Sequence, residues 1–284
     1  MKVFLEIAVG VTGERREQLI ATMAELGCQG FQETESELLC YIEKSLWNPD
    51  KQKLLAGELE RILRVISSNA SIRIRELQDQ NWNAEWEKTI QPVEIGERFV
   101  VKPSWCEYHN TTGRIILHID PKMSFGTGYH ETTRLTLTLL ERSVKPGMRV
   151  LDIGTGTGIL AIAAVLLGAA TAAGTDIDEW SIENARENVA TNGVGQAVTI
   201  SMDTPQAFGS ATFDLITANL MLSTNLELLP EFQRLLRPGG ILLLSGLLSH
   251  DREQMVNGLL RHGFALSSGS SENEWIALEA RRVS

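Results

Sequence analysis

Cysteine is scarce in this chain, with Cys28, Cys40 and Cys106 the three among 284 residues. An odd number without metal-ligand spacing implies neither a disulfide framework nor a zinc site, so the thiols read as buried or idle. Positive charge is also short, with 26 Lys and Arg against 36 Asp and Glu and a formal net charge of −10. A chain this acidic is a poor generic phosphate binder, so direct contact with nucleic acid is not expected, and a basic protein or a small molecule is the easier partner. Long apolar runs are missing too. The longest, such as Ile159 to Leu167, are too short to span a bilayer, so no membrane partner is expected. The first residues carry no basic-then-apolar leader, which makes a cytoplasmic location the expectation. What is present, 43% hydrophobic and 22% charged residues, is ordinary for a globular protein. The length favours one domain of about 200 residues beside a smaller one.

Hydrophobic periodicity divides the chain in the same way. Val3, Leu5, Ile7 and Val9 alternate as in a half-buried strand, and Arg15 to Leu26 reads as a helix with Leu19, Ile20, Met23 and Leu26 on its apolar face, stopped by Gly27. Glu37 to Glu43 reads as a second strand or hairpin, Asn48-Pro49 opens a helix carrying Leu54, Leu55, Leu59, Ile62 and Leu63, and Ser71 to Leu77 adds a strand. This β-α-β(β)-α-β order predicts a small ferredoxin-like α+β domain over residues 1–77. Residues 78–90, polar apart from Trp82, Ala84 and Trp86, read as a connector. Beyond it, Arg98 to Lys102 and Ile115 to Ile119 look like extra strands fronting the main domain. Short apolar strands then alternate with helical patterns: Arg149 to Ile153, Ala172 to Asp176, Val198 to Ser201, Phe213 to Ala218 and Ile241 to Leu247. The fold class expected for residues 91–284 is therefore α/β, doubly wound and mainly parallel. Phe264 to Ser268 and Trp275 to Ala280, joined by a Gly/Ser/Asn turn, read as a closing hairpin.

The chemistry sits at strand ends. Val150-Leu151-Asp152-Ile153 runs into Gly154-Thr155-Gly156-Thr157-Gly158 and then into the apolar helix from Ile159. Its glycines fall on alternate positions, unlike the G-x-G-x-x-G of a dinucleotide site, where a pyrophosphate must be cradled. Asp176 ends the next strand, where a carboxylate can accept two ribose hydroxyls. Asp178 reads rather as the N-cap of the helix starting near Glu179. Asp203 either reaches an adenine amine or is a solvated turn residue before Pro205. Asn219, at the end of the fourth strand, can accept a hydrogen bond from a nucleophile's N–H and aim its lone pair, or else merely caps the strand. The stretch Ser124 to Thr133 is by itself a Gly-rich turn with Thr and His decoration.

As a set these segments are recognisable. Asp120-Pro121-x-x-Ser124-Phe125-Gly126-Thr127-Gly128-x-His130-x-Thr132-Thr133, the glycine run from Asp152, Asp176-Ile177-Asp178, Ala218-Asn219-Leu220 and Leu244-Ser245-Gly246-Leu247-Leu248 closely resemble the PrmA family. These are the methyltransferases of large-subunit ribosomal protein eleven. The resemblance spans nearly the whole chain, including Trp82-x-x-x-Trp86, Lys102-Pro103-Ser104-Trp105 and Glu274-Trp275. It implies a seven-stranded class I (Rossmann-like) methyltransferase domain over residues 91–284, with S-adenosyl-L-methionine as cofactor. Cofactor contacts are implied at Phe125, Thr133, Gly154, Gly156, Asp176 and Asn219, the last also catalytic. It further implies that residues 1–77 grip ribosomal protein eleven, whose lysine and N-terminal amines are methylated. Lys122, Ser124, Asn81, Thr155 and Thr157 depart from the commoner residues of the family, and none of them removes a cofactor contact.

Glutamine and adenine methyltransferases carry Asn-Pro-Pro-Tyr where this chain has Asn219-Leu220-Met221, and the absent prolines and ring favour a non-planar amine as acceptor. His130 is either a base or a support for its loop, and the sequence favours the support. Two other functions share parts of the pattern. A class I methyltransferase of another protein, RNA or a small molecule would keep the cofactor site, with the net charge weighing against RNA. A non-catalytic adenosylmethionine-binding module would have no use for an intact Asn219.

Overall fold

The structure is a computed structural model that describes residues 4–10, 19–20, 23–24, 26–28, 30–33, 37–48, 53–54, 72–77, 91–120, 122, 124–210 and 212–283. The chain divides into two compact units, residues 1–88 and 89–284. The first is β-rich. Strands β1 (Phe4–Gly10), β2 (Gly30–Glu33), β3 (Glu37–Glu43) and β4 (Ile72–Leu77) form one sheet in the order β2-β3-β1-β4, every neighbour antiparallel. The period-two pattern places Leu5, Ile7, Val9, Leu38, Cys40 and Ile42 on one face, where Leu19, Met23 and Cys28 complete a core. On the other face Arg75 pairs with Glu6 at 2.6 Å and Arg73 with Glu37 at 2.7 Å. Burial, with Cys28 adjacent, pushes the Cys40 thiol up to about 12, which leaves no reactive thiolate there. Residues 19–20 and 23–24 are helical, as expected, and so are 53–54. The remainder of both helices and the connector 78–90 lie outside the described residues.

The second unit opens with a three-stranded sheet, β5 (Val93–Ile95), β6 (Phe99–Lys102) and β7 (Ile115–His118), in that order. After α1 (Glu131–Ser143) come β8 (Arg149–Ile153), α2 (Ile159–Leu166), β9 (Thr171–Thr175), α3 (Glu179–Thr191) and β10 (Val198–Ser201). Then follow β11 (Phe213–Asn219), α4 (Leu222–Leu235), β12 (Leu236–Leu248), α5 (Arg252–Arg261), β13 (Phe264–Glu272) and β14 (Trp275–Arg282). The main sheet has the order β10-β9-β8-β11-β12-β14-β13. Its pairs are parallel except those made by β14, which runs against both its neighbours. This is a Rossmann-like mixed sheet with helices.

Alternation along the central strands explains why both faces are covered. Val150, Leu215, Ile241 and Leu243 point into a core built with α1, α2 and α3, whereas Leu151, Ile216, Leu242 and Leu244 point into a second core with α4 and α5. Helix α2 (ILAIAAVL) is apolar on every side because Ile159 to Ala164 are all buried, with only Val165 and Leu166 half-buried at its end. The hairpin differs from the sequence expectation. Gly269 to Glu272 belong to β13 rather than to the turn, which is narrowed to Asn273-Glu274, with Asn273 at φ 53°. Backbone pairing with β14 extends an edge strand through residues too polar to signal it. Among the described residues no helix is long and apolar enough to cross a membrane.

Candidate active site

Strand order reverses between β8 and β11, since β9 and β10 lie to one side of β8 and β12 to the other. Loops leaving the carboxyl ends of those two strands part there and open a crevice. The glycine loop leaves β8 on one side of it, and Asn219 ends β11 on the other. Gly156 has φ 53°, and a Cβ on it would stand 2.2 Å from the carbonyl oxygen of Phe125, so no other residue fits. The segment 124–130 therefore lies directly on the loop. Thr157 N donates to Phe125 O at 2.9 Å and its hydroxyl to Gly126 O at 2.6 Å.

The backbone that leads into that segment, residues 118–120, is anchored from behind by α3 and its C-cap Asn192. Its Asn184, Asn188 and Asn192 are spaced four apart and so share one face. Asn192 exchanges two hydrogen bonds with the backbone of His118, at 2.9 and 2.6 Å. Asn188 accepts from Asp120 N at 3.0 Å and donates to Thr157 O at 2.9 Å, and Asn184 donates to Asp120 O at 3.1 Å. Three side chains thus do for residues 118–120 what a neighbouring strand would do. In front, His130 caps α1, its Nδ1 accepting from Thr132 N at 3.3 Å. Its ring meets Phe125 at 5.2 Å and, edge on, Trp275 at 4.9 Å.

A cavity of about 490 Å³ occupies the crevice. Phe125, Gly154, Gly156, Asp176 and Asn219 all line it, together with Asp203 and Pro205. Each Asp176 oxygen accepts one backbone N–H, from Gly156 at 2.9 Å and Asp178 at 3.1 Å. The carboxylate keeps further lone pairs for two hydroxyls. Asp178 caps α3, accepting from Ser181 N at 2.9 Å. The Asn219 carbonyl oxygen is buried and has no partner among the described residues. Thr133 is not a wall residue; it sits buried in the first turn of α1, its hydroxyl likewise unpartnered. Under the loop, Asp152 is buried and accepts from Thr155 at 2.6 Å and Thr217 at 2.7 Å. Burial outweighs those bonds and pushes its carboxyl up to about 6.

Several wall residues escaped the sequence reading. Ile177, 85% exposed, carries a signal in hindsight, an apolar residue set between two aspartates. Thr224 and Leu228 of α4 also line the cavity, yet nothing in their sequence separates them from the rest of that helix.

The wall fits S-adenosylmethionine. Asp176 offers acceptors for ribose hydroxyls, and Ile177 and Pro205 offer apolar surface near Asp203 for a base. Gly154 and Gly156 leave room for the backbone to touch the ligand, and the Asn219 oxygen, without a partner among the described residues, can take a polar one. Known proteins agree with that reading. The family model for ribosomal protein L11 methyltransferase (PrmA) matches residues 3–283. The ribosomal protein L11 methyltransferase of Desulfitobacterium hafniense is 33% identical, over 97% of each chain. That of Chlorobaculum tepidum is 36% identical over 96% of this chain and 94% of its own. The crystal structure of a ribosomal protein L11 methylase from Lactobacillus delbrueckii subsp. bulgaricus superposes with a TM-score of 0.64 at 30% identity, covering 69% of this chain and all of that one. Motifs, crevice and relatives converge, and the chain belongs to the PrmA family of S-adenosylmethionine-dependent ribosomal protein L11 methyltransferases.

Proposed function

We propose that this methyltransferase moves methyl groups from S-adenosylmethionine to lysine and N-terminal amines of ribosomal protein L11, with Asn219 as the residue that aims the amine. The observation that carries the reading is the Asn219 carbonyl oxygen, buried and without a partner among the described residues, on a residue that ends β11 and lines the cavity. A buried acceptor left unpaired costs roughly 1–3 kcal/mol. An incoming N–H removes that cost and is turned so that the nitrogen lone pair faces the methyl carbon. The cofactor supplies a methyl group already activated by its sulfonium. Held by Gly154, Gly156 and Asp176, the cofactor would supply that methyl group to the amine that Asn219 aims, and the proton the amine sheds would leave for water. A lysine ammonium must first lose a proton, and the mainly apolar wall, with Phe125, Ile153, Leu220 and Leu228, disfavours the charged form. His130 Nδ1 is engaged in capping α1, which supports the reading that it holds the loop.

The finer architecture goes with this assignment. We read residues 91–284 as a seven-stranded class I methyltransferase domain, residues 78–90 as a connector, and residues 1–77 as a ferredoxin-like domain that grips the substrate. The strand order β2-β3-β1-β4 supports the ferredoxin-like reading. A cytoplasmic location is part of the same proposal, since a ribosomal protein is met where ribosomes assemble. The test is transfer of labelled methyl from S-adenosylmethionine to purified ribosomal protein L11, ribosomal RNA and a metabolite extract. Label in the protein's amines is expected, and label in RNA or metabolites alone would overturn the substrate.

A further inference from the structure

Asn219 can aim an amine only if its amide presents oxygen, not NH2, to the cavity, and the two ends of an amide differ little in shape. Something must choose between them. Asn219 Nδ2 lies 3.2 Å from the hydroxyl oxygen of Thr132, and that oxygen lies 2.8 Å from His130 Nδ1. The protons can be counted along this chain. The backbone N–H of Thr132 donates to His130 Nδ1, so Nδ1 carries a lone pair and the ring proton is on Nε2. A hydroxyl facing that lone pair must donate to it. Having spent its single proton, the Thr132 oxygen can only accept, and the group facing it must be a donor. The amide therefore turns its NH2 toward Thr132, and its carbonyl oxygen is left buried and unpartnered. A flipped amide would set two acceptors face to face.

We infer that Thr132 is a positioning residue, which fixes the polarity of the Asn219 amide so that the site presents an acceptor to the methyl-accepting amine. Thr132 is 1% exposed and does not line the cavity. The route proposed for its effect on transfer is through Asn219. The inference rests on the reading of Asn219 given above. It predicts a dependence on the hydroxyl rather than on the side chain's volume.

The test compares Thr132→Val, which keeps the shape, with Thr132→Ser, which keeps the hydroxyl, in the full chain. Thr132→Val should slow single-turnover methyl transfer to ribosomal protein L11 by about tenfold or more, because misorientation of a reacting group is felt in the chemical step. Its affinity for S-adenosylhomocysteine, measured by calorimetry, should stay within about twofold, since a positioning group acts on the transition state. Thr132→Ser should restore most of the rate, and Thr132→Val should add nothing to an Asn219→Ala background. Should the valine variant fold poorly, Thr132→Ala makes the same comparison. A Thr132→Val enzyme as fast as wild type, while Asn219→Ala is slow, overturns the positioning role and leaves Asn219 in place. Losses that multiply in the double variant overturn it as well. An Asn219→Ala enzyme as fast as wild type overturns the reading of Asn219 and this inference with it.

Discussion

Two carboxylates show how position separates roles within one residue type. Asp176 directly follows β9 at the crevice, and its removal takes two ribose acceptors from the proposed site. Asp176→Ala should therefore cost about 1–3 kcal/mol of cofactor affinity, as for lost hydrogen bonds to a charged group, readable by titration with S-adenosylhomocysteine. Asp152, one strand away, is wholly inside. Its folded pKa of about 6 stands above the ordinary 3.8, so the folded chain holds that proton more tightly than the unfolded one. Stability from this group is full below about pH 4, is lost as pH rises to about 6, and stays lost above it. The loss is on the order of 3 kcal/mol for a shift of this size. Urea midpoints of wild type and Asp152→Asn, taken from pH 4 to pH 7, should diverge in the variant's favour as pH rises; parallel curves would contradict the burial argument. Asp176 and Asn219 were legible in the sequence because each ends an apolar run. Asp152 was read as a motif acid only, and Thr132 as a motif member without a role. Their partners, Thr217 and Asn219, lie 65 and 87 residues away, and no local pattern encodes such pairs.

At the scale of elements, the apolar runs place β8, β9, β10 and β11 to within a residue, since a strand buried on both faces has little choice of composition. By contrast, β12 begins at Leu236, five residues before the run from Ile241, through exposed Arg237-Pro238-Gly239 that carry no apolar signal. Nor could the apolar runs foresee that α3 would bind a stretch of extended backbone through its asparagines. Asn184, Asn188 and Asn192 look in the sequence like the polar face of an ordinary surface helix, yet Asn184 and Asn188 are 1% exposed. Asn188→Ala would strand both Asp120 N, half-buried, and Thr157 O, buried, and at about 1–3 kcal/mol for each unpaired group the two cost about 2–6 kcal/mol together. Chemical denaturation should show a loss of that size. Asn188→Asp, which keeps the acceptor for Asp120 N but cannot donate to Thr157 O, should also destabilise. A variant as stable as wild type would mean that this face is not what anchors residues 118–120.

For the whole molecule, the division into residues 1–88 and 89–284 carries its own expectation. Every proposed cofactor contact lies in the second unit, which has its own two cores. A chain starting at residue 89 should bind S-adenosylmethionine as the full protein does, and should lose methyl transfer to ribosomal protein L11 if residues 1–77 supply the grip. Equal methylation by both would refute that division of labour. Within the second unit the order of the chain has another effect. The cofactor wall is drawn from residues 125 to 228, but the loop above it is braced by the last hairpin. Arg134 is paired with Glu272 at 2.6 Å, Glu131 accepts from Asn273 at 2.9 Å, and His130 rests against Trp275. The first two of these contacts join residues 138 and 142 positions apart. On the ribosome, where the chain emerges in sequence order, every residue of the donor pocket is made before β12 and β14, which complete the sheet and the core beneath Asn219, and before the hairpin that braces the loop. A chain stopped short of its last hairpin would hold every proposed cofactor contact and still lack the packing that shapes them.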